Sequence, residues 1–382
     1  MTMPSFTFAT AGEIRFGRDT AARAVPDLAA LHERILLVTG ADSARADWLR
    51  RGLEAAGATL SGLPIPGEPT LAMIEAGVEQ GRAAGVGVVV AIGGGAAIDA
   101  GKAIAALIPA FRPVTDHLEV VGKDLPLDRP PLPCAAIPTT AGTGAEVTRN
   151  AVIAVPEHRR KVSLRDARIL PRIAIVDPAL TDGCPRDVTL ASGLDAITQV
   201  IEPYLCTRAN PMTDALCRAA IPVGLTSLAT LMTGPDATAR DRMAWVSLCG
   251  GLALANAGLG VVHGLAGPLG GLSGAAHGAI CGALLPHGLA ANAAASCDPA
   301  VQTRIGEVRG WIAGALGGSD AQALSTLAGW SRGAGLPGLD ALGISAGARD
   351  AAASAAAASS SMRANPVALD KGQLSEIMDR AR

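Results

Sequence analysis

The stretch VGVVVAIGGGAAIDAGKAIA, Val86–Ala105, decides the fold. Its first part, Val86–Ile92, is β-branched and apolar on both faces, as strands buried in parallel sheets are. Three glycines follow, and Gly95–Ile108 then carries helical spacing. Working outward, the alternation repeats. Arg34–Thr39 (RILLVT) reads as a strand, Ser43–Ala56 as a helix, Ala58–Pro64 as a strand and Thr70–Ala84 as a helix. Pro133–Ile137, Ala151–Val155 and Ile173–Val176 add strand-like pieces. This repetition predicts a doubly wound α/β domain. After Thr181 the chain turns Ala-, Leu- and Gly-rich with helical periodicity, which predicts an all-α second half. The boundary is placed at Asp182, giving domains 1–181 and 182–382. The Ala/Ser-rich segment 347–361 reads as a surface helix with a frayed end.

Composition narrows the function. A chain of 382 residues is long enough for two domains. A net charge of −2 argues against nucleic acid or an anionic membrane as the main partner. With 49% hydrophobic and 17% charged residues, the chain can bury a sizeable core. Aromatics make up only 2%, so small residues must fill that core. The seven cysteines include no CxxC pair, and no basic-then-apolar leader opens the chain, which together predict a cytoplasmic protein. From Met243 to Cys297 there is no Asp, Glu, Lys or Arg. His263, His277, His287, Asn256, Asn292, Pro268 and Pro286 interrupt that stretch, so it reads as a buried helical core and not as membrane spans.

Three motifs carry chemistry. In Ala91–Ala105, Gly94, Gly95 and Ala96 follow a buried strand and open a helix, with Asp99 and Lys102 on its first turns. Backbone without bulk at a helix start can approach a pyrophosphate; a purely structural glycine turn is the alternative. In IPTTAGTGAEVTRNAVI, Ile137–Ile153, the hydroxyls of Thr139, Thr140 and Thr143 suit ribose and phosphate oxygens. Lys161 can add a charge near phosphate or ribose, or belong with Arg159 and Arg160 to a solvated basic face. The third set is dispersed over GLDAITQVIEPY (Gly193–Tyr204), VVHGLAGPLGG (Val261–Gly271) and AAHGAICGALLPHG (Ala275–Gly288). Asp195 and Gln199 share a helix face. Asp195 with His263 and His277 is either a divalent Fe or Zn ligand set or an acid and two imidazoles hydrogen-bonded in a core. His287 is either a proton donor or a histidine at a helix start.

In this order the motifs resemble the iron-containing (group III) alcohol dehydrogenase family. The likeness runs from IRFG (Ile14–Gly17) through GGGAAIDAGKA, PTTAGTGAEVT, AIVDPALT (Ala174–Thr181), DAITQVIEPY, HGLAGPLG and AHGAICGALLPH to the tail RANPVALDKGQLSEIMDRA. The resemblance implies a dehydroquinate-synthase-like fold: an α/β dinucleotide domain and a helical metal and substrate domain, with the active site in a cleft between them. It implies a homodimer that interconverts small alcohols and aldehydes with NAD or NADP and Fe²⁺ or Zn²⁺. Gly94, Gly95 and Ala96 match its pyrophosphate turn. Thr139, Thr140, Thr143, Asp99, Lys161 and Leu180 match its cofactor contacts. Asp195, His263 and His277 match metal ligands that also serve catalysis.

Four departures stand out. Gln199 occupies the place of the fourth ligand, usually His, and can offer an amide oxygen. Gly267 replaces a second helix His, and Ala96 a Ser. Gly40 stands where NAD-preferring members carry Asp, and with Ser43 and Arg45 nearby this predicts acceptance of NADP. Three alternatives remain. A metal-independent oxo-acid reductase resembling maleylacetate reductase generally lacks the Asp kept here as Asp195. A dehydroquinate-synthase-type lyase needs Lys and Arg that the uncharged stretch does not supply. A nucleotide-binding pseudoenzyme would have lost turnover through Gln199 and Gly267.

Overall fold

The structure is a computed structural model that describes residues 4–356 and 359–382. The described chain divides into an α/β unit, residues 9–140 and 144–181, and a helical unit, residues 4–8, 141–143, 182–356 and 359–382.

The α/β unit contains strands β1 (Glu13–Phe16), β2 (Arg34–Thr39), β3 (Thr59–Pro64), β4 (Val88–Gly93), β5 (Cys134–Pro138), β6 (Asn150–Val155), β7 (Arg160–Arg165) and β8 (Ile173–Val176). Its helices are α1 (Thr20–Arg23), α2 (Val25–Ala29), α3 (Asp47–Ala55), α4 (Leu71–Ala84) and α5 (Gly95–Leu107). Six strands form a parallel sheet in the order β1-β8-β5-β4-β2-β3. All six residues of β4 are buried, as its doubly apolar sequence predicts. Leu36, Val38, Val89 and Ala91 pack on one face with Ile74 of α4 and Ile104 of α5. Ile35, Leu37, Val88 and Val90 pack on the other with Leu28, Leu49 and Leu53. Thr70 caps α4 by accepting from the Met73 N–H, and Gly85 ends it in the left-handed region.

One expectation needs correction. The strand-like piece at Ala151–Val155 is a strand, and it lies outside the parallel sheet. β6 pairs antiparallel with β7, a strand that sequence reading had treated as a basic cluster. The alternating burial of β6 marks a ribbon with one face packed, against α5.

The helical unit comprises α6 (Arg186–Leu205), α7 (Pro211–Thr233), α8 (Ala237–Asn256), α9 (Val261–Ser273), α10 (His277–Ala295), α11 (Pro299–Leu316), α12 (Ala323–Gly333), α13 (Ala346–Ala356) and α14 (Lys371–Arg380). Helix α6 is buried continuously from Gly193 to Leu205 and is wrapped by α7, α8 and α10. Its buried stretch carries Asp195, Thr198, Gln199 and Glu202 among apolar residues, so these polar groups need partners inside the bundle. The uncharged stretch becomes most of α8 with α9 and α10, and Cys249, Val262, Leu265, Ile280 and Leu284 join the same core as α6. Among the described residues α7 is long and apolar enough to cross a membrane, as are α8 and α9 together across a 97° bend. Residues of all three helices join the core around α6. The Ala/Ser-rich segment contributes α13, and positions 357 and 358 lie outside the described residues.

Candidate metal centre

Three helices supply the cluster. Asp195 projects from α6, His263 from the first turn of α9 and His277 from the start of α10. His263 Nε2 lies 3.5 Å from Asp195 Oδ1, and His277 Nε2 lies 3.8 Å from the same oxygen. Cys281, one turn after His277, joins them: ligand atoms of all four side chains lie within 4.8 Å of one another.

A close approach brings α10 to α6. At Gly278 a Cβ would lie 2.4 Å from the Ala191 carbonyl oxygen, so only glycine lets the start of α10 sit this near Asp195. The position of His263 is set by Glu202, two turns beyond Asp195 on α6. Its carboxylate accepts from the Val262 N–H at 2.6 Å and the His263 N–H at 3.3 Å, closing the uncapped start of α9. It also accepts from His263 Nδ1 at 2.6 Å. Asn365 completes the cap by accepting from the Val261 N–H. The Nδ1 bond fixes the tautomer and leaves the Nε2 lone pair facing Asp195.

The electrostatics call for positive charge. Burial pushes the Asp195 carboxyl up, yet His277 and His263 outweigh it and hold the acid below the usual range. Burial lowers His277, but Cys281 and Asp195 raise it to about 8. His263 is likewise raised well above its ordinary value, against burial, by Cys281, Asp195 and Glu202. Asp195 Oδ1 and His263 Nε2 are buried without a hydrogen-bond partner. A buried carboxylate oxygen and a ring nitrogen facing each other are costly unless a proton or a cation lies between them. Edges of an ideal tetrahedral zinc site with N and O ligands are about 3.3 Å, close to the separations seen. The residues therefore fit a divalent cation.

The remaining candidates have partners or settings of their own. Gln199 donates from Nε2 to the Thr143 carbonyl at 2.5 Å. At Gly267 a Cβ would meet nothing within 4 Å. His287 lies in the body of α10, so the reading of a helix-start histidine is wrong. It lines a small cavity with Arg332 and Arg380, where burial and those charges lower its pKa. In the α/β unit, Gly93 (φ 154°) sits against the Gly40 nitrogen, and Gly94 lies beside the Thr140 hydroxyl. The Thr139 N–H donates to the Gly93 carbonyl, so Gly40, the triglycine turn, Thr139 and Thr140 adjoin. No side chain caps the start of α5 at Gly94, Gly95 and Ala96. Leu180 packs with the core beside Ile92 and Ile137. Asp99 is tied to Lys102 at 3.1 Å and to the Val152 N–H, and Lys161 to Glu68 at 3.0 Å.

Sequence reading missed Glu202 and Cys281. Glu202 was visible as the residue seven after Asp195, on the same helix face. Cys281 was visible as the residue four after His277.

A parallel α/β unit with an uncapped glycine turn and a helical unit with a buried carboxylate–imidazole cluster mark a two-unit class of fold with a candidate cation site. Comparison with known proteins makes the class specific. The family model described as iron-containing alcohol dehydrogenase matches residues 11–178, and that for the family's C-terminal part matches 189–382. The chain belongs to the iron-containing alcohol dehydrogenase family. It is 37% identical over 241 residues to alcohol dehydrogenase 4 of Schizosaccharomyces pombe, covering 63% of this chain and 56% of that protein. It is 35% identical over 272 residues to 4-hydroxybutyrate dehydrogenase of Cupriavidus necator, covering 68% and 70%. A solved 1,3-propanediol oxidoreductase superposes with a TM-score of 0.88 at 28% identity, covering 99% of this chain and 100% of that one.

Glu202→Gln is expected to weaken metal binding 10- to 100-fold, because the amide can present its N–H₂ to His263 and invert the tautomer. Competition of each protein with a chelator of known affinity measures it. An unchanged dissociation constant would mean that Glu202 only caps α9.

Proposed function

We propose that this protein is a metal-dependent, NAD(P)-linked alcohol dehydrogenase or aldehyde reductase acting on small alcohols and aldehydes. The observation that carries this reading is the unpartnered pair Asp195 Oδ1 and His263 Nε2, 3.5 Å apart in a buried site. Asp195, His263 and His277 hold a divalent cation, Fe²⁺ or Zn²⁺. The cation supplies Lewis-acid polarisation of the substrate oxygen, and the nicotinamide supplies or accepts hydride. The helical unit is the metal and substrate domain, and the α/β unit binds the dinucleotide. Backbone N–H groups of Gly94, Gly95 and Ala96 receive the pyrophosphate, with Thr139 and Thr140 beside them. Asp99 and Lys161 are engaged by partners within the protein, Lys102 with the Val152 N–H and Glu68 respectively. Gly267 leaves room for substrate. A homodimer and a cytoplasmic location belong to the same reading, and the seven free cysteines support the location.

An activity screen over alcohols and aldehydes, with Fe²⁺, Zn²⁺ and chelator and with both cofactors, tests it. Activity is expected to vanish on stripping and return with metal. Full activity in stripped protein would favour the oxo-acid reductase instead. Nucleotide binding without turnover across the panel would favour a pseudoenzyme.

Cofactor choice follows from Gly40. A Cβ there meets nothing within 4 Å, and Ser43 and Arg45 are exposed on the following turn. NADP is therefore accepted. Gly40→Asp has room and would place a carboxylate to bond a ribose 2′-OH and repel a 2′-phosphate. The ratio of kcat/KM for NADP over NAD is expected to fall about 10- to 100-fold, the scale of 1–3 kcal/mol. A wild-type protein with strong NAD preference would refute the assignment.

A further inference from the structure

We propose that Cys281 Sγ, and not Gln199, completes the inner ligand set, making an Asp–His–His–Cys site. This rests on the metal reading above and deepens it. Cys281 Sγ lies 3.6 Å from His277 Nε2, with the side chains of Asp195 and His263 in the same 4.8 Å group. An ideal tetrahedral edge between nitrogen and sulfur ligands on zinc is about 3.6 Å, from bond lengths of about 2.05 and 2.3 Å. His277 and Cys281 are four apart on α10, so one helix face presents both.

Gln199 is held differently. A carbonyl accepts only from a donor, so the amide atom facing the Thr143 oxygen is Nε2. Its Cβ and Cγ pack against Gly250. The second observation that marks a ligand site is the orphaned pair within the group, Asp195 Oδ1 and His263 Nε2.

The chemical consequence is a softer, less charged centre. One carboxylate and one thiolate neutralise a divalent cation, whereas one carboxylate and an amide leave it a net positive charge. A thiolate favours Zn²⁺ over Fe²⁺. With four protein ligands in place, substrate access requires expansion to five.

Cobalt(II) reports directly on sulfur. Full-length protein, stripped and reloaded with Co²⁺, is expected to show an intense near-ultraviolet thiolate-to-cobalt charge-transfer band beside weaker visible bands. Cys281→Ser, nearly isosteric, is expected to lose the near-ultraviolet band, keep the visible ones, and bind Zn²⁺ at least 10-fold more weakly. Gln199→Ala is expected to keep the charge-transfer band. Visible bands without the charge-transfer band in wild type, or a band that survives Cys281→Ser, would overturn the proposal and leave the metal reading standing. No Co²⁺ binding by the wild type would overturn both.

Discussion

Asp195→Asn is expected to lower kcat/KM by about 10²–10³, because the polarisation a cation supplies amounts to several kcal/mol and each 1.36 kcal/mol is tenfold. Metal content should fall with it. Asp195 is 2% exposed, and its only charged or polar neighbours within the cluster are the two imidazoles and the thiol. An amide keeps the shape and removes the charge. The stability signature separates this from general damage. Wild-type protein should melt at a higher temperature with metal, since a ligand that binds only the folded state stabilises it. The variant should lose that increment. Full activity with full metal content in Asp195→Asn would refute the role given to this residue.

The second large effect lies in the other unit. Lys102→Met is expected to destabilise the α/β unit by about 3–5 kcal/mol, the cost of breaking a buried charge network from one side. Lys102 Nζ is fully buried and donates to the carbonyls of Ala145 and Asn150 and to the Thr148 hydroxyl, at 2.8, 2.5 and 2.9 Å. It also pairs with Asp99, whose other oxygen accepts from the Val152 N–H. One ammonium thus staples α5 to the segment from Ala145 to Val152, which has no place in the main sheet. Its loss strands Asp99 and removes the charge that pulls down the Glu146 carboxyl, which burial already pushes up to about 7. For a unit of this size 1 kcal/mol moves the midpoint by about 2–4 °C, so the shift should be roughly 6–20 °C. Calorimetry of the full chain checks it, and a shift under 2 °C would show that water or repacking replaces the staple.

The strand-turn-helix at Val86–Ala105 was legible because its cause is local. β-branched residues with no polar face make a doubly covered strand, and glycines end it where the backbone must enter Gly93's positive φ. The parallel core strands were legible for the same reason. The β6–β7 ribbon was not. Lys161–Arg165 alternates polar and apolar, which is a strand signal, but three basic residues in a row, Arg159–Lys161, disguised it. The partner that makes it a strand lies across a turn through Arg159.

The site divides along the same line. Asp195, His263 and His277 stood out because ionisable groups are rare in an uncharged stretch and in a buried helix. Glu202 did not, because a glutamate near a helix end ordinarily faces water. Its role exists only because the first turn of α9 is laid against it. Cys281 passed as one buried thiol among several until α10 was seated on α6 through Gly278.

Periodicity, turn residues and motif order alone settled the α/β-then-helical plan and the family, since secondary structure and the order of elements follow from neighbours in the chain. Which side chains cluster, and which carboxylate or carbonyl accepts from which donor, were decided by helix packing. Those contacts join residues as far apart as 195 and 281, and no local pattern sets the depth or angle at which two helices meet.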